Sequence, residues 1–274
     1  MKFLIKKLNI YLWCIIFGIC IVFTGCGRKL SEVTITVIGV DWSNSLYYLN
    51  EAQERQRILT LVKNIFEAKK LSYAENLLKK TWKGQLRGIS LESIIVMPIA
   101  SNEVSFREKI RCGTPEGLLD FAKDESAILP NKNSYTNRTD FLDFFNLAKN
   151  EAEHKLKDLE DKSIAIQRGI VKVKTDFILI TDGIHDPKGL INIPNIIENI
   201  NLKIIQNTYP NFSVESFADS ISLPENTSKV FFVGVPPRLK FDLWQKVMNK
   251  KKIKCKFFEY EDIKSSVDIR NKLY

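Results

Sequence analysis

Val33-Thr34-Ile35-Thr36-Val37-Ile38-Gly39-Val40 runs straight into Asp41-Trp42-Ser43-Asn44-Ser45. The first eight residues are apolar or β-branched around one glycine and carry no charge, the pattern of a strand buried on both faces. Just past its end come one carboxylate and two hydroxyls, each two residues apart. Asp41 supplies charge while Ser43 and Ser45 supply neutral oxygens, a donor set suited to a hard cation such as Mg²⁺. In open α/β sheets ligands bind beyond the carboxyl ends of the strands, so the place of these residues matters as much as their type.

A second apolar run, Phe177-Ile178-Leu179-Ile180, stops at Thr181-Asp182-Gly183. Buried parallel strands bring such ends to one edge, so Asp41 and Asp182 are expected side by side. Taken singly, each piece has a plainer role. Asp41 suits a turn or cap, Ser43 and Ser45 suit helix N-caps, and Asp182-Gly183 suits a tight turn.

The rest of the chain alternates strands with helices. Glu51 to Leu71 places Ile58, Leu59, Val62, Ile65 and Phe66 at helical spacing. Ser93 to Ala100 reads as a second strand, weakened near its end by Pro98, which cannot donate to a ladder. Val104 to Arg111 alternates like an edge strand, Gly117 to Ala122 suggests a short helix, and Asn131 to Asn137 a polar loop. Thr139 to about Lys162 carries the stripe Phe141, Leu142, Phe145, Ala148, Ala152 and Leu156. Prolines 187, 194, 210 and 224 punctuate residues 184–228, with helices around Asn195–Ile205 and Phe212–Ser220. Val230 to Val235 is another buried strand, Phe241 to Lys250 a helix, and Lys254 to Tyr260 a last strand. This order argues for α/β architecture with a mainly parallel sheet.

Residues 1–25 read as a secretory signal rather than as part of the fold. Lys2, Lys6 and Lys7 precede a nearly unbroken apolar stretch from Ile10 to Phe23, closed by Thr24-Gly25-Cys26. A cysteine straight after Thr-Gly resembles the lipobox of bacterial lipoproteins, which implies that Cys26 is lipidated and becomes the new N-terminus. Phe23 departs from the aliphatic residue usual there, and an uncleaved anchor over Leu8 to Gly25 is the other reading. Either puts the rest outside the cytoplasm on a cell or outer membrane, with residues 26–31 as tether and 32–274 as one domain. Composition suits a globular domain, at 45% hydrophobic and 27% charged residues. The formal charge of +9 is spread along the chain and draws three of its lysines from the signal. It reads as a solvated surface, so no nucleic-acid partner is expected. The cluster Lys246, Lys250, Lys251, Lys252, Lys254 and Lys256 reads as a solvated helix end and turn, or as a surface for anionic headgroups. Beyond the signal and Cys26 only Cys112 and Cys255 remain, as one disulfide or as two separate thiols.

With its two aspartate-ended strands the chain resembles the von Willebrand factor type A domain. That family's metal-ion-dependent adhesion site is split into Asp-x-Ser-x-Ser, a threonine, and an aspartate usually within Thr-Asp-Gly. The resemblance maps the first part onto Asp41, Ser43 and Ser45, and the last onto Asp182. For the threonine it offers Thr139, which opens the long helix as in the family but follows Arg138 instead of glycine. Thr114 has the glycine and lies further upstream. The likeness covers about Glu32 to Asp262. It implies a doubly wound, Rossmann-type sheet, mostly parallel with one antiparallel edge strand and helices on both faces, the edge falling to Val104–Arg111. It also implies a bound Mg²⁺ (or Mn²⁺ or Ca²⁺) with one open position, completed by an Asp or Glu of a protein partner, and so an adhesion or assembly module rather than an enzyme.

A metal-dependent phosphatase or other envelope hydrolase is the alternative. Strand-then-aspartate also presents the nucleophile of haloacid dehalogenase-like phosphatases, but their second aspartate is replaced by Ser43. Thr181-Asp182-Gly183-Ile184-His185-Asp186 hints at a metallohydrolase, yet the only other histidine is His154 on the polar side of a helix. A lone His185 in a loop is expected to be solvated. No Gly-x-Ser-x-Gly elbow, phosphate loop or zinc spacing occurs.

Overall fold

The computed structural model describes residues 32–47, 50–82, 90–100, 110–114, 117, 118, 120, 128, 129, 136, 138–165, 172–191 and 200–273. The signal 1–25, Cys26 and the remaining tether lie outside the described residues, as do 104–109 of the expected edge strand and most of the polar loop. Among the described residues, no helix is long and apolar enough to cross a membrane.

Six strands form one mixed sheet in the order β3-β2-β1-β4-β5-β6. They are β1 Glu32–Asp41, β2 Ser90–Ile99, β3 Arg111–Gly113, β4 Val173–Ile180, β5 Thr227–Val233 and β6 Lys254–Phe258. All neighbours run parallel except β2 and β3. The architecture is therefore α/β with a mostly parallel sheet and one antiparallel edge. That edge strand is Arg111–Gly113, starting where the expected Val104–Arg111 strand was to end.

β1 sits inside the sheet, paired with β2 on one flank and β4 on the other. Its side chains alternate between two cores. Val33, Ile35 and Val37 join Phe177, Leu179, Val230 and Phe232 on one face. Ile38 and Val40 join Ile178, Ile180, Phe231 and Val233 on the other. Burial on both faces is why these strands read as continuous apolar runs instead of alternating ones. The helix Phe141–Ala165 covers the first face with Phe141, Phe144, Phe145, Ala148 and Ala152. The helix Glu51–Trp82 continues past the expected end at Leu71 and covers the second with Ile58, Leu61, Val62, Ile65 and Phe66. Lys69, on that helix, is 1% exposed, with its Nζ 3.9 Å from Glu92 Oε2. Burial pushes the Lys69 ammonium down, while the charges of Glu92 and Asp176 oppose that shift.

Gly39 lets the aromatic layer reach the central strand. A Cβ there would lie 2.7 Å from Phe144 Cζ and 3.0 Å from Ile99 Cδ1. Gly39→Ala is expected to destabilise the fold by about 1–3 kcal/mol through overpacking, read as a lower melting temperature. An unchanged melt would show that the ring moves aside freely.

At the opposite edge, Lys254 and Lys256 are exposed along β6, a common guard against edge-to-edge pairing. Other members of the lysine cluster have local partners. Lys250 Nζ meets Asp219 Oδ2 at 2.8 Å and Lys251 Nζ donates to Asp219 O at 3.4 Å. Cys112 lies on β3 and Cys255 on β6, at opposite edges of the sheet, and both are free. Five strand spacings of roughly 4.8 Å separate them, far beyond disulfide reach.

Candidate metal centre

β1 and β4 pair in register up to Val40 beside Ile180, so Asp41 and Thr181 leave the sheet together. Thr181 Oγ1 donates to Asp41 Oδ2 at 2.6 Å, and Ser43 N donates to Asp41 Oδ1 at 2.9 Å. Beyond Asp41 the chain turns into the short helix Asn44–Tyr47, and the Tyr47 hydroxyl donates back to Asp41 O at 2.9 Å. That tight turn brings Ser43 Oγ and Ser45 Oγ to 2.7 Å from one another. The Ser43 and Ser45 hydroxyls lie close enough to the carboxyl groups to hold Asp41 and Asp182 down in part, against burial. Asp41, Ser43, Ser45 and Asp182 thus gather at one place across two loops.

The two carboxyl groups sit in an unfavourable setting. Both residues are buried, Asp41 at 0% and Asp182 at 6% exposed. Burial first, then the Asp182 charge, pushes Asp41 up to about 7, against hydrogen bonds from Thr181 and Ser43. Burial also raises Asp182, opposed by Ser45 and by Ile184 N, which donates to its Oδ1 at 3.0 Å. Asp182 Oδ2 is buried with no hydrogen-bond partner among the described residues. A buried orphan acceptor beside a second carboxyl and several hydroxyls is what a hard, oxygen-seeking cation would satisfy.

Thr139 reaches the same rim. Its N donates to Asp186 O at 3.0 Å and Asp186 N returns a bond to Thr139 O at 2.9 Å. Three residues earlier, Thr136 bridges the other loop, accepting from Asn44 N at 2.8 Å and donating to Trp42 O at 3.1 Å. The strip leading into the helix Phe141–Ala165 is therefore threaded between the loops carrying Ser43 and Asp182. Thr114 does not join it. β3 runs antiparallel with Arg111 beside Val96 and Gly113 beside Ile94, so the chain meets Thr114 while moving away from the rim. Its hydroxyl instead accepts from Gly117 N at 3.3 Å.

His185 corrects the sequence reading, because it is not solvated but 5% exposed. Its Nδ1 accepts from Phe141 N at 3.4 Å, closing the start of the long helix, and its ring lies 4.6 Å from that of Phe217. Burial pushes it down to about 4, with the Asp186 charge opposing. The imidazole is therefore neutral near pH 7. Asp186 in turn accepts from Leu190 N and Ile191 N, each at 2.9 Å, and from the Tyr209 hydroxyl. Nothing local in the sequence reveals this arrangement, since Tyr209, Phe212 and Phe217 arrive from further along the chain.

Gly183 completes the turn with φ +74°. Its N donates to Thr181 Oγ1 at 2.9 Å, and its carbonyl accepts from Trp244 Nε1 at 2.9 Å. Trp244 ends a π-helical turn, Lys240–Trp244, set between Pro237–Leu239 and Gln245–Lys250, where the sequence suggests one plain helix from Phe241. Thr181 and Gly183 are thus parts of the site that the motif reading passed over as mere context. Among the described residues, no group of three or more His, Cys, Asp or Glu converges, so the donors on offer are two carboxylates and hydroxyls. His154 is far from this chemistry, 75% exposed at its side chain on the long helix. No protein-family model matches the chain, and no curated protein matches it either.

Proposed function

We propose that this chain is an extracytoplasmic module of the von Willebrand factor type A kind, doubly wound and Rossmann-like, held at a membrane by lipidated Cys26. It binds one divalent cation, Mg²⁺ or alternatively Mn²⁺ or Ca²⁺, at Asp41, Ser43, Ser45, Thr139 and Asp182. The observation that carries the reading is two buried carboxyl groups, Asp41 and Asp182, gathered with the paired Ser43 and Ser45 hydroxyls and with Asp182 Oδ2 left without a hydrogen-bond partner among the described residues. Two buried carboxyl groups with no cationic side chain bonded to them among the described residues are poorly arranged for a purely structural turn. A bound divalent cation supplies the positive charge that lets both ionise.

The chain's own residues do the rest. Asp41 and Asp182 offset the charge, and the hydroxyls fill positions without adding more. With so few charged donors the cation stays electrophilic, and an Asp or Glu side chain of a protein partner completes its shell. The outcome is metal-dependent adhesion or complex assembly, with no bond made or broken.

The full chain in detergent is expected to take up one Mg²⁺ or Mn²⁺ by calorimetric titration. Partners captured on it from the cell envelope should be released by chelator and recovered on adding Mg²⁺. Capture that is indifferent to chelator, together with no heat of cation binding, would sink the proposal.

A further inference from the structure

The carboxyl ends of the parallel strands form the rim that carries Asp41 and Asp182, so the opposite end of the sheet holds the strand starts. Glu32 begins β1 there, and Val33 N donates to Lys172 O at 2.8 Å as β4 enters beside it. Two strands further along, β6 begins with Lys254, level with Lys229 of β5. Lys251, Lys252 and Ile253 make the turn before it, at the foot of the helix Gln245–Lys250. Lys172, Lys252 and Lys254 are exposed. This flank is the basic part of the chain, for residues 229–274 hold twelve Lys and Arg against five Asp and Glu. Acids at the strand starts are mostly engaged. Glu32 is paired with Lys174 and Asp219 with Lys250, while Glu225 is exposed in the turn before β5. The end of the helix Phe141–Ala165 is mixed, with Lys155 and Lys157 against Asp158, Glu160 and Asp161, so the excess lies on the β5–β6 side.

Two of these lysines carry a local cost. Lys252 takes φ 59°, the left-handed conformation where glycine is favoured and a side chain is strained. It closes the helix all the same, with Lys252 N donating to Asn249 O at 2.9 Å and Ile253 N to Met248 O at 3.0 Å. Lys254 and Lys229 are register partners on neighbouring strands, and like charges directly opposite destabilise a sheet. Asp176, on the other side of Lys229, offsets one of those two charges. Edge protection gives Lys254 a plain role and the helix dipole gives one to Lys250 and Lys251, but neither explains Lys252 or Lys172.

We infer that the turn Lys251–Lys254, together with Lys172, docks the domain on the anionic headgroups of the membrane that holds it. The inference rests on the tether proposed at Cys26 and is independent of the cation. Six Cα steps lead from Cys26 to Glu32, and at about 3.5 Å each they reach no further than roughly 20 Å. A bilayer holding Cys26 is therefore within that reach of the strand starts. Anionic headgroups attract lysines over about one Debye length, ~10 Å in about 0.1 M salt, and each lysine at such a surface is worth roughly fivefold in binding. Docking removes the swivel that a bare tether allows. It also sets function against stability at Lys252, where glycine would relieve the backbone but give up the charge.

The test places the full chain in lipid nanodiscs of phosphatidylcholine alone or of phosphatidylcholine with phosphatidylglycerol. Acetylation rates of single lysines are read by mass spectrometry. On the anionic discs Lys172, Lys252 and Lys254 are expected to react about fivefold slower or more than on neutral discs, while Lys188, exposed just past Asp186, reacts alike on both. The difference should vanish in about 1 M salt, where the Debye length is about 3 Å. Lys252→Gly combined with Lys254→Gln should melt no lower and weaken docking roughly twenty-fivefold, so that Lys172 regains its neutral-disc rate. Equal rates on the two kinds of disc overturn the inference. So does slowing that survives high salt or the paired substitution. Failure of the unsubstituted chain to enter neutral discs overturns the tether reading, whereas entry with equal lysine rates overturns the docking alone.

Discussion

Asp41→Asn is expected to abolish cation uptake and, in chelator, to raise the melting temperature above that of the unsubstituted chain. The two effects have opposite signs for one reason. Asp41 is fully buried beside a second carboxyl, and its acid group is pushed up to about 7 by burial and by Asp182. Without a cation its negative charge is a burden on the fold, and the neutral amide relieves it. The amide oxygen still accepts from Ser43 N, which donates to Asp41 Oδ1 at 2.9 Å. At about pH 8 the gain should be a few kcal/mol, since the rise from 3.8 to about 7 is about three units at about 1.4 kcal/mol each, less the Thr181 bond that the amide nitrogen cannot accept. With a cation the same charge is needed, and its loss should weaken affinity by roughly a hundredfold or more, as ligand charge sets affinity at oxygen sites. Calorimetric titration and thermal melts in chelator check both signs. A variant that melts lower without cation, or still takes up Mg²⁺, contradicts the paired-carboxyl account.

The second large effect is a fall in stability with rising pH that only a divalent cation removes. Asp41 rises from 3.8 unfolded to about 7 folded, and Asp182 is also raised. Between those values the folded state holds protons that the unfolded state has released, so stability declines as pH climbs through about 7. His185 works the other way. Its folded value falls to about 4 from 6.5, so it adds stability as pH rises between them and nothing further above. From about pH 4 to about pH 6.5 His185 offsets the decline of one carboxyl group, so the fall is shallower there. Above about pH 6.5 only the carboxyl groups act, at up to about 1.4 kcal/mol per pH unit for each proton, and the Asp41 part of the descent ends near pH 7, where the folded group ionises too. Saturating Mg²⁺ should flatten that descent by keeping both groups ionised and paired. Melting curves from about pH 5 to about pH 8, with chelator and with Mg²⁺, decide it. A chelated protein that gains stability across pH 7 would count against the paired buried carboxyl groups.

Much of this was legible in the amino-acid order. The apolar runs before Asp41 and Asp182 announce two buried parallel strands, and both residues do leave the sheet at one rim. The Thr139 strip meets that rim, and Thr114 does not, a choice the local sequence left open because it depends on the direction of β3. Pro98 raised a doubt about the end of β2, yet the strand runs through it. β3 pairs only as far as Val96, so at Pro98 one flank of β2 carries no paired strand among the described residues. The edge strand itself is only Arg111–Gly113, too short to impose an alternating pattern. What the sequence hides is tertiary. His185 is buried by rings from Phe212 and Phe217, and Trp244 is aimed at Gly183 by a π turn. Each needs a partner distant in the chain, which neither periodicity nor a local motif can supply. The C-terminal helix Ser266–Leu273 escaped for a simpler reason, since only Ile269 and Leu273 are buried in it.

β1 has a consequence for where encounters take place. Glu32 begins the ten-residue strand and Asp41 ends it. At about 3.3 Å per residue the strand spans roughly 30 Å. If Cys26 is lipidated as proposed, the tether joins the sheet at the Glu32 end, opposite the acidic rim. Under that proposal the length of the strand would set the rim apart from the headgroups, toward molecules arriving from the aqueous side.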